Sequence, residues 1–284
     1  MSDVPARVRA SLAAGEPCWH PGLASCLVDS FWAREPNRDR TGYCTASWLA
    51  EPLNGMRIPV PGYPTMWVEP LPQSLARRFN APASAGSVPL MARAVAAALV
   101  RLGGTGPADS VATLVRSIHC VEASQPGYDL SHSEPTIPFS VLLSNPAGER
   151  NAGLRLAEAL LHEAMHLQLT LIEQDAPIVA GTTGSGYSPW QGRKRPIQGL
   201  LHGLYVFTAI RRWLIGLSGN SCRSDEDAIY VHRRIGEIDG EVDAVKSLGS
   251  AADLTGFGRA LADALLREFD GGPRLPGQRL EAIG

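Results

Sequence analysis

The sequence lacks a long apolar run, a strong charge of either sign and any paired cysteine motif. No apolar stretch approaches the roughly 20 residues that a membrane-spanning helix needs, so we expect no membrane partner. The formal net charge is -2, which gives no electrostatic argument for nucleic acid as a partner. The 5 cysteines are odd in number, and the first residues lack the apolar segment of a secretory signal. These absences favour a cytoplasmic protein with free thiols.

Apolar periodicity predicts a mostly α protein of the α+β class, with a small antiparallel sheet beside its central helix. We see no internal repeat and no clean linker, and therefore expect one domain over residues 1–284 with a loosely held tail at 270–284. A Gly/Ser/Thr-rich loop is expected over 176–194. Helices are predicted over 89–102, 154–175, 196–217, 225–248 and 252–269, and strands over 110–121 and 136–144.

The predicted central helix, Leu154 to Asp175, contains an HExxH motif. His162 and His166 are four residues apart, so on a helix both rings lie on the same face, about 6 Å apart along the axis. Two imidazoles in this arrangement can bind one transition-metal ion, and Glu163 is next to the first. A solvated or hydrogen-bonded histidine pair on an amphipathic helix is the alternative. The strongly apolar helix favours the metal site.

The identity of a third ligand decides the chemistry. A metzincin-type continuation needs Gly and His where this chain has Leu169 and Ile172. A thermolysin-type site takes a Glu from a later helix, yet no Asp or Glu lies between Asp175 and Asp225. The one histidine in that stretch is His202, inside an apolar run. Three neutral imidazoles with open positions suit zinc or non-haem iron, and their spacing does not separate the two metals.

Small and basic residues surround this third histidine. Gly199 and Gly203 predict that another helix approaches closely. Arg193, Lys194 and Arg195 precede the predicted helix, and no acidic residue nearby in the sequence neutralises them. A guanidinium beside a helix N-terminus is a good receptor for a carboxylate. A solvated basic turn is the alternative interpretation.

Two separate motifs of this chain, LLHEAMH and SPWQGRKRPIQGLLHGLYVFTAIRRW, agree in order and spacing with a known family. Together they resemble the HExxH-motif peptide-modification proteins found with ribosomally made peptide natural products. The resemblance covers roughly residues 129–217 and includes the upstream segment SHSEPTIPFSVLLS. It implies an Fe(II)- and 2-oxoglutarate-dependent hydroxylase, a dioxygenase that acts on a β-carbon in a precursor peptide.

Carried over by position, the resemblance implies that His162, His166 and His202 are the iron ligands. Glu163 would orient a ligand or a water molecule, because an oxygenase has no hydrolytic water to activate.

The resemblance also implies a binding site for 2-oxoglutarate. Arg195 occupies the position of the arginine just before the helix-initiating proline, and would bind a carboxylate of the co-substrate. Where the family has a second arginine after the tryptophan, this chain has Gln191. Arg193 is the candidate to substitute for it.

Two other functions stay open at this point. In a zinc metallopeptidase, Glu163 would activate water and His202 would replace the usual acidic ligand. A peptide-binding module would retain a structural metal without turnover. For the peptide partner, the predicted strand 136–144 is a candidate to pair with an extended chain, because an unpaired edge can add a strand. A plain core strand is the alternative.

Overall fold

The computed structural model describes residues 4–16, 22–40, 43–50, 53–79, 87–103, 107–122, 129–133, 136–146, 148–181, 184–218 and 224–271. They divide into two compact units, Met1–Pro177 and Ile178–Gly284. The predicted mostly α, α+β class is confirmed, and the single domain over 1–284 stays a prediction. The predicted tail begins inside the last helix, and its residues 272–284 lie outside the described ones.

The first unit combines helices with a sheet in the order β1-β2-β3-β5-β4. Its described helices are α1 (Val4–Ala13), α2 (Leu23–Arg34), α3 (Thr45–Leu49), α4 (Gln73–Phe79), α5 (Val88–Leu102), α6 (Pro107–Leu114) and α7 (Ala152–Glu173). Its strands are β1 (Met56–Ile58), β2 (Met66–Pro70), β3 (Ser117–Val121), β4 (Ser131–Ser133) and β5 (Ser140–Ser144). β2, β3 and β5 run parallel, whereas β1 and β4 pair antiparallel at the edges. The sheet is therefore mixed and larger than expected.

The position of the sheet beside the HExxH helix is as predicted. α7 packs against β4 and β5, and also against α5 and α6. Every residue of β3 and β5 is buried, as is usual for parallel strands covered on both faces. The HExxH helix therefore packs against a buried sheet.

Two strand predictions were wrong in part. The first half of 110–121 is the helix α6, because Pro107 suits a first helical turn and Val111 and Leu114 pack at helical spacing. The second predicted strand begins only at Ser140, after Phe139 adopts the left-handed region with φ 58. Both sides of β5 are occupied by β3 and β4. The structure therefore matches the core-strand alternative, and β5 has no unpaired edge to offer to a peptide.

A buried polar network joins α3 to the three parallel strands. The backbone N–H of Thr45 donates to Glu69 Oε2 at 3.3 Å and to Ser117 Oγ at 3.1 Å. The Thr45 hydroxyl oxygen lies 2.9 Å from both His119 Nε2 and Ser140 Oγ. Burial raises the pKa of Glu69 and lowers the pKa of His119 to about 4. The network satisfies polar groups that would otherwise destabilise the core.

The second unit contains a β-hairpin and a helical bundle. Its strands are β6 (Ser185–Ser188) and β7 (Arg193–Pro196), and its helices are α8 (Ile197–Ser218), α9 (Asp225–Asp243) and α10 (Gly256–Gly271), with a 3-10 turn at Lys246–Ser250. α8 packs against α9 and α10. Ser224 caps α9 by accepting a hydrogen bond from the N–H of Asp227 at 3.1 Å. All three helices were predicted, whereas the expected loop at 176–194 contains most of the hairpin instead.

Two features of the described residues bear on the predicted compartment: the apolar character of the helices and the state of the cysteines. In these ranges, no helix has the length and apolar character that spanning a membrane requires. Cys26, Cys44 and Cys120 have free thiols, as expected. Cys18 and Cys222 lie outside the described residues.

Candidate metal centre

The HExxH helix α7 is buried on most of its circumference. It begins after Asn151, which adopts the left-handed region with φ 54, and it runs to Glu173. Leu, Ala, Met and Ile side chains fill its buried faces. One narrow stripe remains half-buried and includes Arg155, Glu158, His162, His166 and Thr170. Both histidines therefore lie on the accessible face of an otherwise enclosed helix.

The two imidazoles converge through their Nε2 atoms, which lie 3.2 Å apart. The ring planes are inclined at 66°, and the His162 side chain is 26% exposed. A metal–imidazole bond is about 2.0–2.1 Å long, so one ion can reach both nitrogens at this separation. The angle at such an ion would be about 100°, between the octahedral and tetrahedral values. The pair fits a transition metal, and its geometry does not choose between iron and zinc.

A metal ion and protons compete for the same ring nitrogens of His162 and His166. Two ring nitrogens at 3.2 Å are stable next to each other when one donates its proton to the other. A metal ion replaces that shared proton and binds the lone pairs of two neutral rings. Metal binding at His162 and His166 is therefore expected to weaken at acidic pH.

Carboxylates occupy two positions near the histidine pair. Glu163 is 3% exposed, and its Oε1 atom lies 3.9 Å from His162 Nε2. Its carboxylate thus lies near the nitrogen that would bind the metal. Glu158 is on the same half-buried stripe, one helical turn before His162. The sequence-based prediction did not include Glu158, although its spacing of four residues from His162 was visible.

The third predicted ligand, His202, belongs to the second unit. It lies on α8 and is half-buried rather than buried. Across the part of the chain that the structure describes, there is no cluster of three or more His, Cys, Asp or Glu side chains suited to a metal ion. The ligand set His162, His166 and His202 stays a prediction.

The basic residues predicted to precede α8 form one strand of the hairpin. β6 and β7 are joined by residues 189–192, and Gly192 adopts the left-handed region with φ 60. Because side chains alternate along a strand, Arg193 and Arg195 share one face of β7. Lys194 is on the other face, where it is exposed beside its cross-strand partner Tyr187.

Two glycines of α8, Gly199 and Gly203, are covered by side chains of the hairpin. A Cβ atom on Gly199 would lie 3.2 Å from Arg195 Nε, so this guanidinium rests on the first turn of α8. A Cβ atom on Gly203 would lie 2.4 Å from Cζ3 of Trp190. The same indole stacks on Phe207 with ring centroids 5.2 Å apart. The prediction of close helix-to-helix approach was wrong, because side chains of the hairpin occupy this space.

Gln191 has a contact that the sequence did not predict. Its side-chain oxygen accepts hydrogen bonds from Arg193 Nε at 3.2 Å and from Arg195 Nη1 at 3.0 Å. Both arginines proposed for the co-substrate therefore share one neutral acceptor at the tip of the hairpin. No local sequence signal points to this contact, because it depends on the hairpin turn.

We predict that Gly203→Ala lowers the free energy of unfolding by about 1–3 kcal/mol, because the added methyl group overlaps the Trp190 ring and forces it off α8. Urea unfolding measures the change. Gly240→Ala on α9 is the matched control, since its Cβ meets nothing within 4 Å and alanine favours a helix. Equal effects of the two substitutions would contradict the packing of Trp190 on Gly203.

The fold and the HExxH helix define a mostly α protein with a candidate transition-metal site. Comparison with models of known protein families and with curated proteins finds no match for this chain. The resemblance to the peptide-modification proteins thus rests on the two motifs and stays a prediction.

Proposed function

We propose that this protein is an Fe(II)- and 2-oxoglutarate-dependent hydroxylase that oxidises a β-carbon in a ribosomally synthesised precursor peptide. The observation that supports a transition-metal site is the convergence of the His162 and His166 Nε2 atoms to 3.2 Å on the accessible stripe of α7. The motif resemblance over 129–217 supports the choice of iron, keto acid and peptide. Free thiols at the described cysteines are consistent with action in the cytoplasm.

In this proposal His162 and His166 supply two imidazole ligands and His202 supplies the third. The choice of His202 comes from the sequence motif, since it is the one histidine in the acid-free stretch 176–224. Three imidazoles leave positions open for a co-substrate on an octahedral ion. When bound, iron with 2-oxoglutarate and dioxygen supplies the oxidising power for hydroxylating a C–H bond.

The remaining residues bind and orient the reactants. Arg195 is proposed to bind a carboxylate of 2-oxoglutarate, and its guanidinium is already held by Gln191 and packed on Gly199. Arg193 lies on the same face of β7 and would add a second guanidinium. Glu163 lies 3.9 Å from a ligand nitrogen, where it can orient a ligand or a water molecule.

The second candidate function is a zinc metallopeptidase. The position of Glu163 favours it, because a buried carboxylate beside His162 Nε2 is suited to activating a metal-bound water. In this alternative Glu163 is the general base, and Glu163→Gln abolishes turnover. In the hydroxylase, the same substitution retains the metal and a part of the activity.

The deciding experiment incubates the protein with Fe(II), ascorbate, 2-oxoglutarate and a candidate precursor peptide. The hydroxylase is expected to release succinate and to add one oxygen atom to the peptide, and His162→Ala is expected to do neither. Two shorter peptides formed without 2-oxoglutarate would support the peptidase instead. Peptide binding without turnover under either condition would indicate a peptide-binding module.

A further inference from the structure

The tip of the β6–β7 hairpin brings two cations together on one neutral acceptor. Arg193 and Arg195 both donate to the Oε1 atom of Gln191, at 3.2 Å and 3.0 Å. Within the described ranges neither guanidinium pairs with a carboxylate. Two neighbouring positive charges repel each other, and a neutral amide oxygen offsets this repulsion only in part. An anion placed between them would be stabilised by both.

The hairpin fixes these donors on a defined surface. Arg195 is opposite Gly186 in the strand register, so no cross-strand side chain competes for its position. A Cβ on Gly186 would meet Leu200 Cδ1 at 2.8 Å, which shows that this face of the hairpin packs on α8. Arg195 Nη1 is used by Gln191, whereas Nε and Nη2 lie over Gly199. The Arg195 guanidinium is thus held by Gln191 on one side and by the first turn of α8 on the other.

We propose that Gln191 is a positioning residue that aligns Arg193 and Arg195 into a single carboxylate receptor. Its amide oxygen occupies one donor of each guanidinium and leaves the remaining N–H groups to form paired bonds with a planar carboxylate. A neutral residue is needed at this position, because a carboxylate here would itself pair with both arginines and exclude the ligand. The inference rests on the proposed function, since it concerns the carboxylate that Arg195 is expected to bind.

The test measures binding of glutarate to the metal-free protein by titration calorimetry. Glutarate has the carboxylates of the co-substrate without the keto group, so its binding needs neither metal nor turnover. Gln191→Glu adds one negative charge in the same shape, and we expect its glutarate affinity to fall at least tenfold with an unchanged melting temperature. Gln191→Met removes the acceptor, and we expect an affinity three- to tenfold weaker.

Two further variants separate positioning from net charge. Arg193→Gln removes one cation from the receptor face and is expected to weaken glutarate binding about tenfold. Lys194→Gln removes one cation from the opposite face of the same strand, and its affinity is expected to stay within twofold of the unaltered protein. Equal losses in these two variants, unchanged binding by Gln191→Glu, or no saturable binding by the unaltered protein would overturn the inference.

The inference and the proposed function fail in different measurements. Suppose that Gln191→Glu loses glutarate binding and that the unaltered protein releases no succinate from 2-oxoglutarate. This result would support the carboxylate receptor and contradict the hydroxylase. Succinate release coupled to peptide oxidation, with glutarate binding unaffected by Gln191→Glu, would retain the hydroxylase and reject the role of Gln191.

Discussion

Replacing either His162 or His166 with alanine is expected to weaken Fe(II) and Zn(II) binding at least about a hundredfold. Each substitution removes one of two nitrogens that lie 3.2 Å apart, and losing a ligand costs more than the 10–100-fold typical of losing a neighbouring hydrogen-bond partner. Anaerobic titration calorimetry with each metal measures the change. Because protons compete for the same nitrogens, the affinity of the unaltered protein should also fall as the pH is lowered.

Two further histidine variants test whether the loss of metal affinity is specific to the proposed ligands. His232→Ala is the matched control, because His232 is an exposed helical histidine whose Nδ1 is bonded to the Ala228 carbonyl at 2.8 Å. Its metal affinity should equal that of the unaltered protein. His202→Ala tests the third ligand, and a loss similar to that of His162→Ala is expected. Retained affinity in His162→Ala would reject the HExxH helix as the metal site, whereas retained affinity in His202→Ala would reject the third ligand alone.

The second large effect is expected in the pH dependence of stability, from the buried pair Glu69 and His119. His119 is fully buried, its Nδ1 lies 3.2 Å from the Pro70 carbonyl, and burial lowers its pKa from 6.5 to about 4. At pH values between 4 and 6.5, the imidazole of residue 119 is protonated in the unfolded chain and neutral in the folded protein. Stability therefore falls as the pH drops from 6.5 to 4, by about 3 kcal/mol at about 1.4 kcal/mol per pH unit.

Glu69 acts in the opposite direction. Burial raises its pKa above the ordinary value of 4.5, so the folded protein retains a proton that the unfolded chain releases. This contribution is lost as the pH rises through the raised pKa, and over the pH range just above 4.5 it opposes and partly masks the effect of His119. Glu69→Gln keeps an oxygen for the Thr45 N–H and removes the masking.

The test compares two variants: Glu69→Gln alone, and Glu69→Gln combined with His119→Gln. Urea unfolding gives the free energy of unfolding of each variant at pH 7 and at pH 4. The single variant should lose about 3 kcal/mol more than the double variant on acidification, because only the single variant retains the buried imidazole. Other carboxylates contribute equally to both proteins and cancel. Equal losses would show that His119 does not titrate with a lowered pKa in the folded protein.

The sequence by itself determined the long helices and the residues that can bind a metal. α7 was predicted at 154–175 and found at Ala152–Glu173, and α8 at 196–217 and found at Ile197–Ser218. Long segments with helical periodicity specify their own backbone hydrogen bonds, so neighbouring residues contain the information. The convergence of His162 and His166 follows from the same helical repeat. Local spacing was sufficient for this part of the site.

Tertiary structure decided the strand pairings and the contacts of the hairpin. The place of β5 between β3 and β4 depends on the pairing of separate segments, so the sequence could not show that both edges of the strand are occupied. Gly199 and Gly203 indicate close approach, but only the folded hairpin shows that Arg195 and Trp190 make it. The hydrogen bonds of Gln191 with Arg193 and Arg195 also form only in the folded hairpin, although the three residues are close in the sequence. Short-range periodicity specifies helices, whereas the pairing of separate segments depends on long-range packing that no local pattern encodes.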